Sequence, residues 1–267
     1  TQAEAISYSV KNNPADISVE NLDLSTGAGS FKYVIRKDIT GANFSLAAGE
    51  LAIKLKVLGM HNVYNAAVAI TVAKLCGVPD AQIQSALATF TGVERRFQLI
   101  YDGQYKIIDD HFANAGNINM TLETLGLMKY NKLHLVLAIR GNRGSIVNGE
   151  NAEAVVKWVP HLPLDQLIIS DSVEFVNEHD WVSEEERATF LGILDQAGIR
   201  YSHYPQLTEA LQAVLAAVSP GDVILLGGCQ GMDHGAHVII PLVAQNHTSR
   251  EQQEILKILR DRVAGSS

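Results

Sequence analysis

Three short segments carry side chains whose types and spacing suit nucleotide chemistry. Gly59-Met60-His61-Asn62-Val63-Tyr64-Asn65 sets a polar cluster at the opening of an apolar helix. Orphan N–H groups and the positive end of the helix dipole there favour anions and polar ligands, although an asparagine at such a place is equally an ordinary N-cap. Glu94-Arg95-Arg96-Phe97 puts two guanidinium forks on a connector. Such forks suit bidentate phosphate binding, and otherwise they are simply solvated. Ile107-Ile108-Asp109-Asp110 brings two carboxylates to the end of an apolar run, where an open sheet presents acids to a ligand. The plainer alternative is a strand-terminal turn that caps a helix. These are parts that could meet around one nucleotide.

Two glycine-flanked turns follow. Arg140-Gly141-Asn142-Arg143-Gly144-Ser145 can form a backbone nest for an anion, with Arg140 and Arg143 adding charge, or a tight turn with solvated arginines. Gly227-Gly228-Cys229-Gln230-Gly231-Met232-Asp233-His234-Gly235 is flexible enough for Asp233 and His234 to approach a substrate closely. Cys229, Asp233, His234 and His237 lack the second ligand cluster of a zinc site, so no metal centre is expected. A G-x-x-x-x-G-K-[ST] phosphate loop is missing from the sequence. Its nearest imitation, Thr26-Gly27-Ala28-Gly29-Ser30-Phe31-Lys32, has the wrong spacing.

The elements that must position these residues are of two kinds. Residues 5–57 read as a strand meander, because Phe31, Tyr33 and Ile35 alternate with Lys32 and Arg36, and Leu51, Ile53, Leu55 and Val57 with Lys54 and Lys56. The period then becomes helical. Val63, Ala66, Ala67, Ile70, Ala73 and Leu75 form a stripe that stops at Gly77, and Pro79-Asp80 opens a second helix, giving a helical hairpin. After about residue 100, apolar runs at 105–108, 133–139, 166–169 and 222–226 alternate with helical segments near 116–128, 150–158, 184–197, 207–218 and 235–263. Strands apolar throughout suit a parallel sheet covered on both faces, so this half is expected to be a Rossmann-like α/β domain. The turns after Ile108, Ile139, Ile169 and Leu226 then share one rim. The boundary is expected at Gln98–Gly103, dividing residues 1–99 from 100–267.

Composition bounds the partners. With 267 residues, 47% of them hydrophobic, the chain can bury a core for two domains. A net charge of −8 with no basic stripe argues against nucleic acid. Two cysteines make no disulfide framework, and no apolar run is long enough to span a membrane. A cytoplasmic protein without nucleic-acid or membrane partners is expected.

The order Gly-x-His-Asn-x-x-Asn, Gly-x-x-x-Arg-Phe and strand-terminal Asp resembles the Mur ligase family of ATP-dependent amide-bond-forming enzymes. The likeness runs from about residue 10 to 245 and is specific at 59–65, 92–98 and 107–114. It implies that Asn62, with His61 and Asn65 beside it, binds the adenine end of ATP. It further implies that Arg96 reaches the γ-phosphate with Arg95 as its electrostatic neighbour, and that Asp110 is a ribose and hinge contact. Arg96 and Asp110 are the implied catalytic pair, with Mg2+ screening the phosphates. His111, Asn114, Arg140, Arg143, Asp171, Asp233 and His234 fall on the substrate side. By this resemblance residues 1–99 are the rear of a central ATPase domain whose sheet margin leads into the hairpin, and 100–267 are the C-terminal Rossmann-like domain. The phosphate-loop portion is the implied partner, and Thr1 in place of a methionine fits a chain shortened at that side. The whole enzyme would phosphorylate a carboxylate with ATP and let an amine attack the acyl phosphate; this chain alone would be inactive.

The sequence also departs from the family pattern. Asp110-His111-Phe112-Ala113-Asn114-Ala115 stands where the family has Asp-Tyr-Ala-His-Asn-Pro, and Gln98 replaces a glutamate. Ser170-Asp171-Ser172-Val173-Glu174 lacks the proline and arginine of the family's Asp-Asn-Pro-Arg run. An acceptor other than a muramyl peptide is therefore expected, with Glu174 repelling an amino-acid carboxylate. The alternatives are a ligase or cyclase for a cofactor or tetrapyrrole precursor, and a noncatalytic nucleotide- or partner-binding module.

Overall fold

In the computed structural model, which describes residues 5–11, 15–260 and 262–265, the period-two alternation becomes a sheet. Its strands are β1 (Tyr8–Ser9), β2 (Ile17–Asp23), β3 (Ala28–Ile35) and, after a small ladder of β4 (Ile39–Thr40) with β5 (Ser45–Leu46), β6 (Gly49–Leu58). The order is β1-β2-β3-β6. Pairing is antiparallel except between β1 and β2, so the expected meander holds from β2 onward. Phe31, Tyr33, Leu51, Ile53 and Leu55 are buried while Lys32, Lys54 and Lys56 are exposed, as alternation requires.

The hairpin packs on this sheet as α1 (Met60–Leu75) and α2 (Asp80–Thr89). Gly59 sits at φ 103 and Gly77 at φ 74, left-handed conformations that a side chain disfavours, so glycine marks both ends of α1. Val63, Ala66, Ala67 and Ile70 are buried. The opposite face carries Val68, Val72 and Leu75, exposed at 44%, 53% and 37%. A helix apolar all round is one that whole proteins cover on both sides.

The second sheet uses β7 (Gln98–Asp102), β8 (Lys106–Asp110), β9 (Leu133–Ala138), β10 (Leu164–Ser170), β11 (Ser202–Tyr204) and β12 (Val223–Gly227). Between them run α3 (Ala115–Leu127), α4 (Gly144–Trp158), α5 (Glu184–Gln196) and α6 (Leu207–Ala217), followed by α7 (Gly235–Ala244) and α8 (Ser249–Leu256). The order is β11-β10-β9-β12-β8-β7, parallel except for β7. One face of the sheet, with Val136, Ile168, Ile224 and Leu226, meets Leu211, Val214, Ile239 and Ile240 in a single core. This is the mixed α/β architecture the apolar runs predicted. Asp110 pairs with Gly227 and Ser170 with Ala138, so the carboxyl ends of β8, β9, β10 and β12 form one rim.

The chain divides into two compact units, residues 1–92 with 127–129, and 93–126 with 130–267. The division falls at Gly92 because the segment expected as linker contains β7, whose backbone pairs with β8 and belongs to the second sheet. The helix expected over 235–263 is two helices, broken where Thr248 and Glu251 form a capping box that starts α8. α4 begins at Gly144, well before the expected residue 150.

Candidate functional site

In the first unit Asn62 stands in the opening turn of α1, but Gly59, not an asparagine, holds the cap position. Asn62 Nδ2 donates to Leu58 O at 2.6 Å, which leaves its Oδ1 as an acceptor. Asn62 and Asn65 line a cleft of about 310 Å³ with Leu55 and Val57 of β6, Ala66 and Ala69 of α1, and Ala86, Leu87 and Phe90 from the second helix. Apolar walls with two amides at the edge suit a flat ring with a polar rim. His61 is half-buried in the same turn and does not line the cleft.

In the second unit the two adjacent arginines part company. Arg95 adopts φ 54 and is 4% exposed. Its guanidinium donates to Asp109 Oδ1 at 3.3 Å, to Cys229 O at 3.1 Å, and to Gly228 O and Asp233. Arg96 projects into solvent. Asp109 is wholly buried and also bonded to Arg262, which in turn reaches Gln98 Oε1 at 2.9 Å. Burial pushes the Asp109 carboxyl up, and the two guanidiniums oppose that rise.

Asp110 is turned inward. Its Oδ1 accepts from Phe97 N and His111 N, both at 3.0 Å, and its Oδ2 from Thr121. It ties the end of β8 to the connector and to α3. His111 is half-buried, its imidazole driven down to about 4 by burial and by the positive charge of Arg95, Arg96 and Arg140. Asn114 Oδ1 accepts from Asn117 N at 3.0 Å at the start of α3, and Arg140 donates to Ala113 O.

The nest expected at Arg140–Ser145 is real, and Glu186 fills it. The carboxylate of Glu186 accepts from Asn142 N at 3.2 Å, and from Arg143 N and Gly144 N at 2.7 Å each. Burial raises this carboxyl, but bonds from Ser183, Arg143 and Gly144 outweigh it and hold it below its usual value. Arg143 keeps an exposed side chain. Asp171 is buried and taken by Arg187 Nε at 2.8 Å and His203 Nε2 at 3.1 Å. Glu174 is not free to repel a substrate: it accepts from Leu207 N and Thr208 N, capping α6. Asp233, raised by burial with Arg95 opposing, faces Arg95, and His234 stacks on Phe175 at 4.6 Å. Among the described residues no three His, Cys, Asp or Glu side chains group to hold a metal ion.

Asp110, His111, Arg140, Asp171, Asp233 and His234 therefore lie at or just beyond the carboxyl ends of β8, β9, β10 and β12, several of them already engaged within the protein. Arg262 and Glu186 were not foreseen, and Asp109, expected with Asp110 as a strand-end carboxylate facing a ligand, is instead engaged by Arg95 and Arg262. Asp109 is indistinguishable from its neighbour by type, and Arg262 stands far along the chain with no motif around it. Glu186 did have a signal, since Ser183-x-x-Glu186 is a capping-box pattern.

The model of the Mur ligase, glutamate ligase domain matches residues 95–230. The chain is 25% identical over 232 residues to the UDP-N-acetylmuramoyl-L-alanyl-D-glutamate--2,6-diaminopimelate ligase of Bacillus velezensis, covering 85% of this chain and 42% of that protein. It is 29% identical over 220 residues to the UDP-N-acetylmuramate--L-alanine ligase of Cupriavidus taiwanensis, covering 80% and 44%. The crystal structure of UDP-N-acetylmuramate-alanine ligase from Thermotoga maritima superposes with a TM-score of 0.66 at 19% identity, over 91% of this chain and 48% of that one. The MurF ligase of Thermotoga maritima in complex with ADP gives 0.58 at 15% identity, over 92% and 48%. The two solved structures share the fold, and the chain spans less than half the length of each of these four proteins.

Proposed function

Since the chain belongs to the Mur ligase family, we propose that it is part of an ATP-dependent ligase joining a carboxylate to an amine through an acyl phosphate. The observation that carries this reading is Arg96, an exposed guanidinium between two buried neighbours at the start of the matched domain. A preorganised cation of this kind stabilises charge as the γ-phosphoryl group moves. Asn62 and Asn65 at their apolar cleft suit the adenine ring, with Asn62 Oδ1 as acceptor for its amino group. Asp110 acts as a positioning group, since both its oxygens are spent on Phe97, His111 and Thr121.

Mg2+ would screen the phosphates, but among the described residues no carboxylates group to hold it, and Asp109, Asp110 and Asp171 are committed to internal partners. We assign the metal to the phosphate-loop portion of the ligase, which we take as the partner of this chain. The uncovered apolar face of α1 supports such a partner. His111, Arg140 and Asp233 remain on the substrate side. The run Ser172-Val173-Glu174 offers no arginine to read a diaminopimelate carboxylate, so we place the acceptor outside that branch. No helix of the described residues is long and apolar enough to cross a membrane, in keeping with a cytoplasmic ligase.

The test is Arg96→Ala in the ligase that contains this chain, with ATP, Mg2+ and a panel of carboxylate and amine substrates, read by phosphate release and product mass. Loss of about 2–4 kcal/mol of transition-state stabilisation is expected for a preorganised charged donor. An unchanged turnover number removes Arg96 from the site, and efficient extension of a muramyl peptide with diaminopimelate overturns the acceptor assignment.

A further inference from the structure

Arg96 is presented by a turn that the chain does not adopt willingly. Arg95 and Phe97, the residues on either side, sit at φ 54 and φ 51, a left-handed conformation that non-glycine residues hold only where the surroundings over-determine it. Both are buried, at 4% and 1% exposure, so Arg96 between them is forced outward. Asp110 holds Phe97 N, and Gly228, Cys229 and Asp233 hold the Arg95 guanidinium; the remaining fasteners of this turn converge on one distant side chain. Gln98 Oε1 accepts from Arg95 N at 3.2 Å and from Arg262 at 2.9 Å, so Arg262 holds the backbone of Arg95 through one shared oxygen. Asp109 accepts from Arg95 through Oδ1 and from Arg262 through Oδ2, so Arg262 also fixes the Arg95 side chain. Glu94 accepts from Val263 N at 3.0 Å and Ala264 N at 2.8 Å, with Arg262 Nε 3.4 Å from its carboxylate. Arg262 itself is 6% exposed.

We propose that Arg262 is a positioning residue for Arg96: through Gln98, Asp109 and Glu94 it locks the strained turn that holds the Arg96 guanidinium ready for the transferring phosphoryl group. The part that concerns catalysis rests on the ligase reading; the locking of the turn does not. A guanidinium fork suits the place because two hydrogen-bond acceptors, Gln98 and Asp109, are met in different directions while the charge also lies beside the Glu94 carboxylate, which a single ammonium cannot reproduce. Once the lock is gone the turn relaxes, Arg96 loses its fixed direction, and the chemical step suffers more than ATP binding.

Two measurements test this on Arg262→Gln, with Asp109→Asn as a second variant should the first fail to fold. In the 267-residue chain, limited trypsin digestion reads the Arg96–Phe97 bond against the bond after exposed Arg143 in the same unit. The variant should be cut at Arg96 at least about tenfold faster with cutting at Arg143 unchanged, because local opening alone is affected. Unchanged cutting at Arg96, or equal acceleration at both bonds, overturns the lock. In the ligase, Arg262→Gln should lower kcat about 10- to 100-fold with KM for ATP nearly constant, and Arg262→Lys should not restore it. The double variant with Arg96→Ala should be no slower than Arg96→Ala alone, since one residue acts through the other. Additive losses overturn the positioning role. If Arg96→Ala is itself harmless, Arg96 lies outside the site and the catalytic part fails, and the trypsin result still decides whether Arg262 locks the turn.

Discussion

His111 shows how a single side chain is set by charges the sequence did not reveal as its neighbours. Burial and the arginines at 95, 96 and 140 push its imidazole down to about 4, so it is neutral at pH 7 and keeps an acceptor nitrogen. The unfolded chain takes up a proton near pH 6.5; the folded one does so only near 4. Folding stability should therefore be full above pH 6.5 and fall as the pH drops from there towards 4, a slope that His111→Gln should flatten. Histidine C2–H shifts followed by NMR check the midpoint, and a value near 6.5 refutes it. The adjacent arginines divide in the same way. Arg95→Ala leaves Asp109 buried with one partner fewer and should cost about 3–5 kcal/mol in urea unfolding, whereas Arg96→Ala on the surface should stay within about 0.5 kcal/mol. Residue types alone could not tell Arg95 from Arg96, or Asp109 from Asp110. Burial divides the arginines, while the two aspartates are both buried and differ in partners, Asp109 on two guanidiniums and Asp110 on backbone N–H groups and Thr121; both distinctions depend on segments that meet only in the fold.

At the scale of elements, the parallel strands were legible because β8, β9, β10 and β12 are apolar runs bounded by turns. β7 and β11 were not: Gln98–Asp102 carries polar residues at both ends, and Ser202–Tyr204 is too short to show a period. The glycine turn before α4 was legible as an anion nest, but its occupant came from α5. Filling the nest with Glu186 satisfies the first N–H groups of α4, pins α5 to the rim, and explains why α4 starts at Gly144. Substituting Glu186 by Ala would orphan those donors and should destabilise the second unit by about 2–4 kcal/mol. The pH dependence has a definite sign. Bonds from Ser183, Arg143 and Gly144 overcome the burial penalty and depress the folded pKa of Glu186, so its stabilisation is complete above the unfolded value, about 4.3, and is lost as the pH falls through the lower folded one. Thermal melts of wild type and Glu186→Gln between pH 3 and 7 check this. Equal melting points at pH 7 would refute the role.

For the whole molecule, the governing fact is coverage. The sequence spans 42% of one ligase relative and 44% of another, and contains no phosphate loop. Phosphoryl transfer asks little covalent chemistry of a protein and nearly everything of positioning and charge: backbone N–H groups and a lysine cradle the phosphates, a metal bridges them, and an arginine meets the charge that develops. On the proposed reading this chain would supply the arginine, Arg96, and the cleft at Asn62 and Asn65 for the base. It has neither the cradle nor, among the described residues, a carboxylate grouping for the metal. An arginine without a held phosphate has nothing to stabilise, because its worth lies in an interaction made only once the reacting groups are in place. Purified on its own, the 267-residue chain should therefore release no phosphate from ATP and Mg2+ above the level of buffer, with or without carboxylate and amine substrates. Phosphate release by the chain alone that disappears in Arg96→Ala would show that the cradle is built from residues given no such role here, and would move the phosphate site into this sequence.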